Sequence, residues 1–400
     1  MQILRPLRSR PLALVWTGQV LAATGTEFYM VAVIWLATSA IGRDAGYVSA
    51  LQSGTVLFAS LFGGILTDRW ATRTTMVAAS LARAALLAVL AVAGLLGLIG
   101  LPLLAVAAFL VALATASFEP ALQSVIPVLA PDPALRHAAN GLFDATRRVA
   151  RILGPGLIGL ASAVMPVGQF FGVTALAFAL AAACLVAGLR RLDLPAREPI
   201  HGIAGVIDSL TGGFRAVRGH AVLVYGLLAC LVGNVAWGVG IVLGMILHLR
   251  ATRADPLLAY SLMMMAYGVG NVLASVVLTA RRPRRPIVWL VASKFLFGGG
   301  VALMPFAESQ GALMLCAAVA ALNGPLENLA LFHMMQNDLP GHRLAQVFRL
   351  LMATVFSGGM LAYLAAPTLF GVLGVAPVVA AAGLATMAAG LGGLPLRSRR

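Results

Sequence analysis

Six ionisable side chains lie inside long apolar segments of this sequence. They are three acids and three bases: Glu27, Glu119, Glu327, Arg83, Arg151 and Lys294. An ionised group at the centre of a bilayer costs about 2.5–3.5 kcal/mol on insertion scales, so each one needs a partner or a task. A carboxylate that holds a cation when ionised and releases it when protonated can couple proton movement to a conformational change. We therefore expect Glu27 or Glu119 to carry a proton, with Glu327 and His333 as the alternative in the second half.

Other roles for these charges are compatible with the sequence. The acids could form static ion pairs, for example Glu119 with Arg151. Arg83 lies about two helical turns from the cytoplasmic surface and could extend towards it along its own helix. Arg151 could contact an anionic substrate instead of an acid of the protein. We therefore treat Arg83, Arg151 and Lys294 as the candidate charge partners.

The composition requires a membrane protein. Hydrophobic residues make up 60% of the 400 residues and charged residues only 10%, whereas soluble domains are about 25% charged. A spanning helix needs about 20 apolar residues, and the chain contains twelve such segments. They lie near residues 12–41, 45–67, 75–99, 101–128, 140–164, 167–189, 219–249, 256–280, 286–306, 311–337, 344–373 and 375–395.

The two halves of the chain resemble each other. A shift of 212 residues places Arg69 and Arg73 on Arg281 and Arg285, in the loop after each half's second helix. The longest polar stretch, residues 190–218, separates six spans from six. The sequence thus predicts an all-α membrane protein of twelve transmembrane helices in two pseudo-symmetric six-helix bundles. Residues 1–189 form the first bundle, 190–218 a cytoplasmic linker and 219–400 the second bundle.

The basic residues indicate topology. Of the 28, all but Lys294 are arginine; 22 fall on one side of the predicted spans, three on the other and three within them. Positive charge favours the cytoplasmic side, so both termini are predicted to be cytoplasmic. This arrangement explains the net charge of +15 without nucleic-acid binding. A single lysine outside a glycine-rich loop excludes a Walker A motif, and we expect an ion gradient, with no cofactor, to supply the energy.

The loop after the second predicted helix contains a motif, Gly64-x-Leu66-x-Asp68-Arg69-x-x-x-Arg73. It resembles the signature of the major facilitator superfamily, although Ala71 and Thr72 replace the usual Gly and Arg. The resemblance covers essentially the full chain and implies two six-helix bundles with the substrate site between them. It also implies that Asp68 and its arginine partners latch the cytoplasmic side, a pairing that a nearby helix N-terminus favours.

Helix 5 carries a second motif, Gly141 followed by Gly154-Pro155-x-x-x-Gly159. It resembles the motif associated with antiporters of this superfamily, with Ala150 and Ile158 where glycines are usual. Ordinary tight helix packing explains such glycines equally well. The sequence from Phe118-Glu119-Pro120-Ala121 through Ala139-Asn140-Gly141 to Arg151-Ile152-Leu153-Gly154-Pro155 resembles the bacterial exporter branch that contains enterobactin and macrolide exporters. Residues 336–343 resemble that branch's loop between helices 10 and 11.

A few polar and aromatic side chains on the predicted pore-forming helices could line a substrate cavity. They are Gln19, Tyr29, Gln52, Gln123, Asn234, Trp237, Tyr267, Asn271, Asn323 and Asn328. Sparse polar groups among apolar walls suit an amphiphilic organic compound. The histidines lack metal-ligand spacing, so no metal site is expected. With no nucleophile-and-base pair or phosphate loop, the chain is predicted not to be an enzyme.

These observations predict a monomeric secondary transporter in a bacterial inner membrane. We expect it to export a siderophore-like or antibiotic-like compound by proton antiport and alternating access, with substrate, protons and the lipid bilayer as its only partners. The alternative function is a facilitator that flips a lysophospholipid or a similar amphiphile. A non-transporting sensor or scaffold would not need acids inside a cavity.

Overall fold

The computed structural model describes residues 2–67, 71–190, 202–279 and 285–398, and every regular element in these ranges is helical. Short 3-10 helices occur at Gln2–Arg8, Gly42–Asp44, Val167–Gln169, Met304–Phe306 and Leu394–Ser398, and one π-helix occurs at Trp237–Gly244. The α-helices are α1 Arg10–Ile41, α2 Ala45–Thr67, α3 Thr72–Leu95, α4 Leu101–Leu129, α5 Pro133–Ala161, α6 Phe170–Leu189, α7 Gly202–Val217, α8 Ala221–Ala236, α9 Met245–Thr252, α10 Pro256–Thr279, α11 Pro286–Leu303, α12 Gln310–Ala321, α13 Asn323–Asp338, α14 Gly341–Leu373 and α15 Val375–Leu391.

Within the described ranges, ten helical runs are long and apolar enough to span a membrane. The run Arg10–Ala59 contains two of the predicted spans, because only a short 3-10 helix separates α1 from α2. α5 is not among the ten, because charged residues interrupt its apolar sequence: Arg136, Asp144, Arg147, Arg148 and Arg151. The predicted all-α, multi-pass membrane fold is confirmed.

The chain forms two compact units. The first contains Met1–Ala40 and Phe58–Gly202, and the second contains Ile41–Leu57 and Ile203–Arg400. Of the predicted linker, residues 191–201 lie outside the described ranges and residues 202–217 form α7. Residues 41–57, which include the first part of α2, thus belong to the second unit.

The first unit is built around α3, which packs against α4 and α6. Its core includes Leu12, Met76, Leu122 and Phe143, all nearly inaccessible. On α1, a Cβ added at Gly18 would lie 3.2 Å from the carbonyl oxygen of Ala181 on α6. The small residue therefore lets α1 approach α6 closely, as is common between helices in membranes.

The second unit is built around α11, which packs against α15, α13 and α12. Three consecutive glycines of α11 have different surroundings. A Cβ at Gly298 would lie 2.6 Å from Met387 Cγ on α15, and one at Gly300 would lie 2.6 Å from the carbonyl oxygen of Cys316 on α12. A Cβ at Gly299 would meet nothing within 4 Å. Two faces of α11 thus require glycine, and the face between them does not.

A π-helix joins α8 to α9 within one apolar run. A Cβ at Gly238 would lie 2.7 Å from Ala362 Cβ, and one at Gly240 would lie 2.9 Å from Val301 Cγ1. Glycine is a weak α-helix former, so this glycine-rich segment tolerates the wider π turn while neighbouring helices pack against it.

We predict that Gly298→Ala and Gly300→Ala each destabilise the protein, whereas Gly299→Ala does not. The added methyl group at the first two positions overlaps a neighbouring helix, and overpacking of this kind costs about 1–3 kcal/mol. At Gly299 the methyl group enters open space, and alanine favours the helix by about 1 kcal/mol. Thermal unfolding of the three variants in one detergent measures the difference. Equal melting temperatures for all three would contradict the close packing of α11.

Candidate functional site

The first unit contains a cavity of about 160 Å³. Four of its helices supply the lining residues, which are Gln19, Ala22, Ala23, Thr26, Glu27, Arg83, Thr115, Phe118, Arg147 and Arg151. Half of these lie on α1 at positions three and four residues apart, a spacing that places them on one side of a helix. The cavity thus has an α1 wall with a carboxylate and an amide, and an α5 wall with two guanidinium groups.

Glu27 and Arg151 face each other across this cavity. Arg151 Nε lies 4.0 Å from Glu27 Oε1, with 25% of the Glu27 side chain and 57% of the Arg151 side chain exposed. The contact is a long ion pair that remains accessible from the cavity. Such a pair forms and breaks more readily than a desolvated one.

Gly154 allows α5 to approach Glu27. Gly154 is buried and lies three residues after Arg151. A Cβ at its position would overlap the Cβ of Glu27. Only glycine therefore leaves room for the Glu27 side chain between α1 and α5. This contact gives the glycine of the antiporter-like motif a direct role in positioning the acid.

Arg83 does not extend to a membrane surface. Its residue is 2% exposed, and its Cζ lies 4.8 Å from the ring centre of Phe118 and 4.3 Å from that of Phe178. Its Nε also donates a hydrogen bond to the Ala79 carbonyl, at 3.2 Å. The surface-directed alternative for Arg83 is thus wrong, because two aromatic faces and the helix backbone hold the guanidinium inside the unit. No spacing in the sequence pairs Phe178 on α6 with α3.

Arg147 also lines the cavity, although it is one of the 22 basic residues predicted to lie on the cytoplasmic side. It lies in α5, one turn before Arg151, and its Nη2 is 3.8 Å from Asp144 Oδ1. The sequence could have predicted this position, because Arg147 and Arg151 are four residues apart and residues at i and i+4 share a helix face.

Gln19 is buried in the cavity wall with an unused acceptor. The residue is 3% exposed, and its Oε1 has no hydrogen-bond partner within the described part of the chain. The two threonine hydroxyls of the cavity are occupied. Thr26 donates to the Ala22 carbonyl and Thr115 to the Val111 carbonyl, both at 2.8 Å.

The second unit contains a tighter charge pair. Lys294 Nζ lies 2.6 Å from Glu327 Oε1, with 0% and 9% of the two side chains exposed. Asn323 Nδ2 donates to Glu327 Oε2 at 3.2 Å, and Lys294 Nζ donates to Asn323 Oδ1 at 3.5 Å. Gly233 makes room for the ammonium group, because a Cβ there would lie 2.9 Å from Nζ. Both carboxylate oxygens are therefore engaged in a closed, desolvated cluster.

His333 is separate from this cluster. Its Nδ1 contacts Asn337 Nδ2, and Asn337 also donates to the His333 carbonyl at 2.8 Å. Among the residues that the structure describes, no hydrogen bond joins His333 to Glu327. The structure therefore pairs Glu327 with a lysine and an asparagine rather than with the histidine.

The other cavity candidates are dispersed. Asn234 donates to the Cys230 carbonyl at 2.9 Å, and Asn271 to the Ala321 carbonyl at 3.3 Å. The rings of Trp237 and Tyr267 are 4.9 Å apart. Of the remaining candidates, one is buried, one is half-buried and two are exposed: Tyr29, Gln52, Gln123 and Asn328.

The structure describes only some residues of the predicted cytoplasmic latch. Asp68 and Arg69 lie outside the described residues, while Gly64 is in the last turn of α2 and Arg73 is the second residue of α3. The side chains of Glu119 and Pro155 are also outside the described part, although their backbones belong to α4 and α5. Gly141 lies in the first third of α5, and Gly159 lies near its end. The roles of these residues stay predictions.

Comparison with known proteins gives one consistent result. The sequence profile of the Major Facilitator Superfamily matches residues 15–363. The chain is 29% identical, over 94% of its length and 88% of the relative's, to the "Multidrug efflux pump Tap" of Mycobacterium tuberculosis. It is 26% identical, over 94% of its length and 90% of the relative's, to the pump of the same name from Mycolicibacterium fortuitum.

Solved structures support the same fold. The chain is similar to a POT family transporter crystallised with a thioalcohol-conjugated peptide, with a TM-score of 0.74, 14% identity, and coverage of 98% of this chain and 96% of the other. A mutant POT peptide transporter in complex with alafosfalin has a TM-score of 0.73 and 16% identity, with coverage of 97% and 94%. At such identities the likeness concerns the fold alone.

We predict that the cluster around Lys294 is structural. Lys294→Met leaves the Glu327 carboxylate buried without its cation, and removing one partner of a buried pair costs about 3–5 kcal/mol. The double variant Lys294→Met/Glu327→Gln removes both charges and should be destabilised less than Lys294→Met alone. Thermal unfolding of the single and double variants in detergent measures the coupling. A double variant as unstable as the sum of the two singles would show that the charges do not stabilise each other.

Proposed function

Because the chain belongs to the Major Facilitator Superfamily, we propose that it exports small, antibiotic-like organic compounds across the bacterial inner membrane by proton antiport. The efflux relatives span nearly the whole chain and support outward transport of such compounds. The observation that carries the proton-coupled part is the accessible Glu27–Arg151 pair at the cavity of the first unit. The proton gradient supplies the energy, and both termini are in the cytoplasm.

The difference between the Glu27–Arg151 and Lys294–Glu327 pairs favours Glu27 as the proton carrier. A carrier must bind and release its proton in each cycle, so water or substrate must reach the carboxylate. Glu27 is one-quarter exposed and 4.0 Å from Arg151, whereas Glu327 is 2.6 Å from a fully buried lysine. Breaking the second pair would leave a charge uncompensated in a desolvated site, at a cost of several kcal/mol.

The geometry suggests how the proton and the substrate exclude each other. Ionised Glu27 attracts Arg151 and accepts hydrogen bonds, so a substrate donor in the cavity can contact it. Protonation on the outer side neutralises the carboxylate, which weakens the attraction to Arg151 and the contact with substrate. The substrate then leaves, and the proton is released on the cytoplasmic side when the cavity faces inward. One proton entering for each substrate that leaves is the simplest antiport consistent with a single acid.

We predict that Glu27→Gln abolishes proton-coupled export while leaving substrate binding measurable. Glutamine keeps the size and hydrogen-bonding capacity of the side chain and removes only the titration. Purified protein in liposomes with an imposed pH gradient should show substrate-dependent proton flux for the wild type. For Glu27→Gln we expect the flux to fall at least tenfold. Exchange of labelled for unlabelled substrate without a gradient should persist, because exchange requires no net proton movement.

Glu308→Gln is the matched control, since it removes one carboxylate from an exposed position outside the first unit. Its flux should equal that of the wild type. Unchanged proton flux in Glu27→Gln would remove Glu27 from the coupling mechanism. Substrate movement without proton flux in the wild type would instead favour a facilitator, and lysophospholipid belongs in the substrate panel for that reason. Siderophore-like compounds belong there as the other substrate class.

A further inference from the structure

We propose that Gln19 is a specificity-determining residue whose Oε1 accepts a hydrogen bond from a neutral hydroxyl or amide group of the substrate. This inference rests on the proposed function, because it assigns a substrate class to the same cavity. It goes beyond that function by stating which chemical group the cavity selects and which residue selects it.

The first line of evidence is the burial of an unsatisfied acceptor. Gln19 is 97% buried, and its Oε1 has no hydrogen-bond partner in the described part of the chain. An amide oxygen removed from water without a compensating hydrogen bond costs free energy, so native proteins nearly always satisfy such atoms. Its presence in the wall of a cavity indicates a partner that arrives with a ligand.

The second line of evidence is that the protein's own donors nearby are engaged. The hydroxyls of Thr26 and Thr115 donate to backbone carbonyls of their own helices. Arg83 donates to the Ala79 carbonyl and to Ser80 Oγ while lying against two aromatic rings. Arg147 and Arg151 face Asp144 and Glu27. Among the described residues, none of these donors reaches Gln19 Oε1, so its donor is expected from a molecule inside the cavity.

The charges of the lining favour a neutral donor over an ammonium group. Among the described lining side chains, three guanidinium groups stand against the one carboxylate of Glu27. A further cation beside Gln19 would be repelled by the three arginines, whereas a hydroxyl or an amide N–H would not. Gln19 and Glu27 are eight residues apart, which is roughly 12 Å along the helix. A molecule with several hydroxyl or amide groups can satisfy both acceptors.

The cavity volume limits what enters. At about 160 Å³ it is smaller than the roughly 300–1,000 Å³ of pockets that enclose drug-sized ligands. We therefore assign it to one polar end of a substrate rather than to a whole molecule. A site built to hydrogen-bond a substrate group discriminates against analogues that lack the group, because the site's own buried polar atom is then left unpaired.

Binding by purified protein in detergent, at fixed pH and without a gradient, tests this assignment. The probes are neutral, hydroxyl-bearing antibiotics, beginning with chloramphenicol, each compared with its O-methyl ether. We expect wild-type protein to bind the hydroxyl form about tenfold more tightly than the ether. In Gln19→Met, which keeps the length of the side chain but lacks the acceptor, the two forms should bind equally. Gln169→Met, at an exposed glutamine of the same unit, should retain the wild-type preference.

The stability of the unliganded protein gives a second, independent readout. If Gln19 awaits a ligand, Gln19→Met removes an unsatisfied polar atom and should leave the melting temperature unchanged or raise it. A lowered melting temperature would show that Gln19 is structural and would overturn the proposal. Equal binding of hydroxyl and ether forms by the wild type, or no binding of any probe, would overturn it as well. Gln19-dependent binding without proton-coupled transport would instead contradict only the antiport mechanism.

Discussion

The cost of placing ionised side chains in an apolar environment is the constraint on which this structure depends. In each unit, basic side chains lie against groups that compensate their charge, but the compensating groups and the exposure of the side chains differ from one base to the next. Lys294 is enclosed with Glu327 and Asn323, with short contacts and almost no exposure. Arg83 lies against two aromatic faces and its own helix. Arg151 and Glu27 are held more loosely, at the edge of a cavity. Of the Lys294–Glu327 and Glu27–Arg151 pairs, the second is the longer and the more exposed.

Close helix contacts are what allow these charges to meet. Gly154 leaves room for Glu27 beside α5, and Gly233 leaves room for the ammonium group of Lys294 beside α8. In a membrane, helices gain little from the hydrophobic effect against each other, so tight packing and buried polar contacts carry the association. The same glycines thus serve both helix packing and charge placement. For this reason the Gly154-Pro155-x-x-x-Gly159 motif, which resembles an antiporter signature, also fits ordinary helix packing.

The α1 wall of the cavity combines two functions in one element. Glu27 supplies a group that changes charge, and Gln19 supplies a neutral acceptor that does not. In the proposed mechanism, proton coupling depends on Glu27 and substrate choice on Gln19. The α5 wall carries Arg147 and Arg151 one turn apart, so it places positive charge opposite Glu27. In this proposal, the residue that selects the substrate is separate from the residue whose change of charge releases it.

Composition and periodicity by themselves determined the membrane class, the helical fold and the six charges that need compensation, because these follow from hydropathy and residue type along the chain. Motif resemblance added the superfamily, which the profile match confirms. Only the tertiary structure decided which charges meet. It placed Glu27 with Arg151, separated His333 from Glu327, buried Arg83 between two rings and brought Arg147 into the cavity. Helical spacing fixes the direction of a side chain on its own helix, but the rotation and neighbours of each helix depend on packing between segments far apart in sequence.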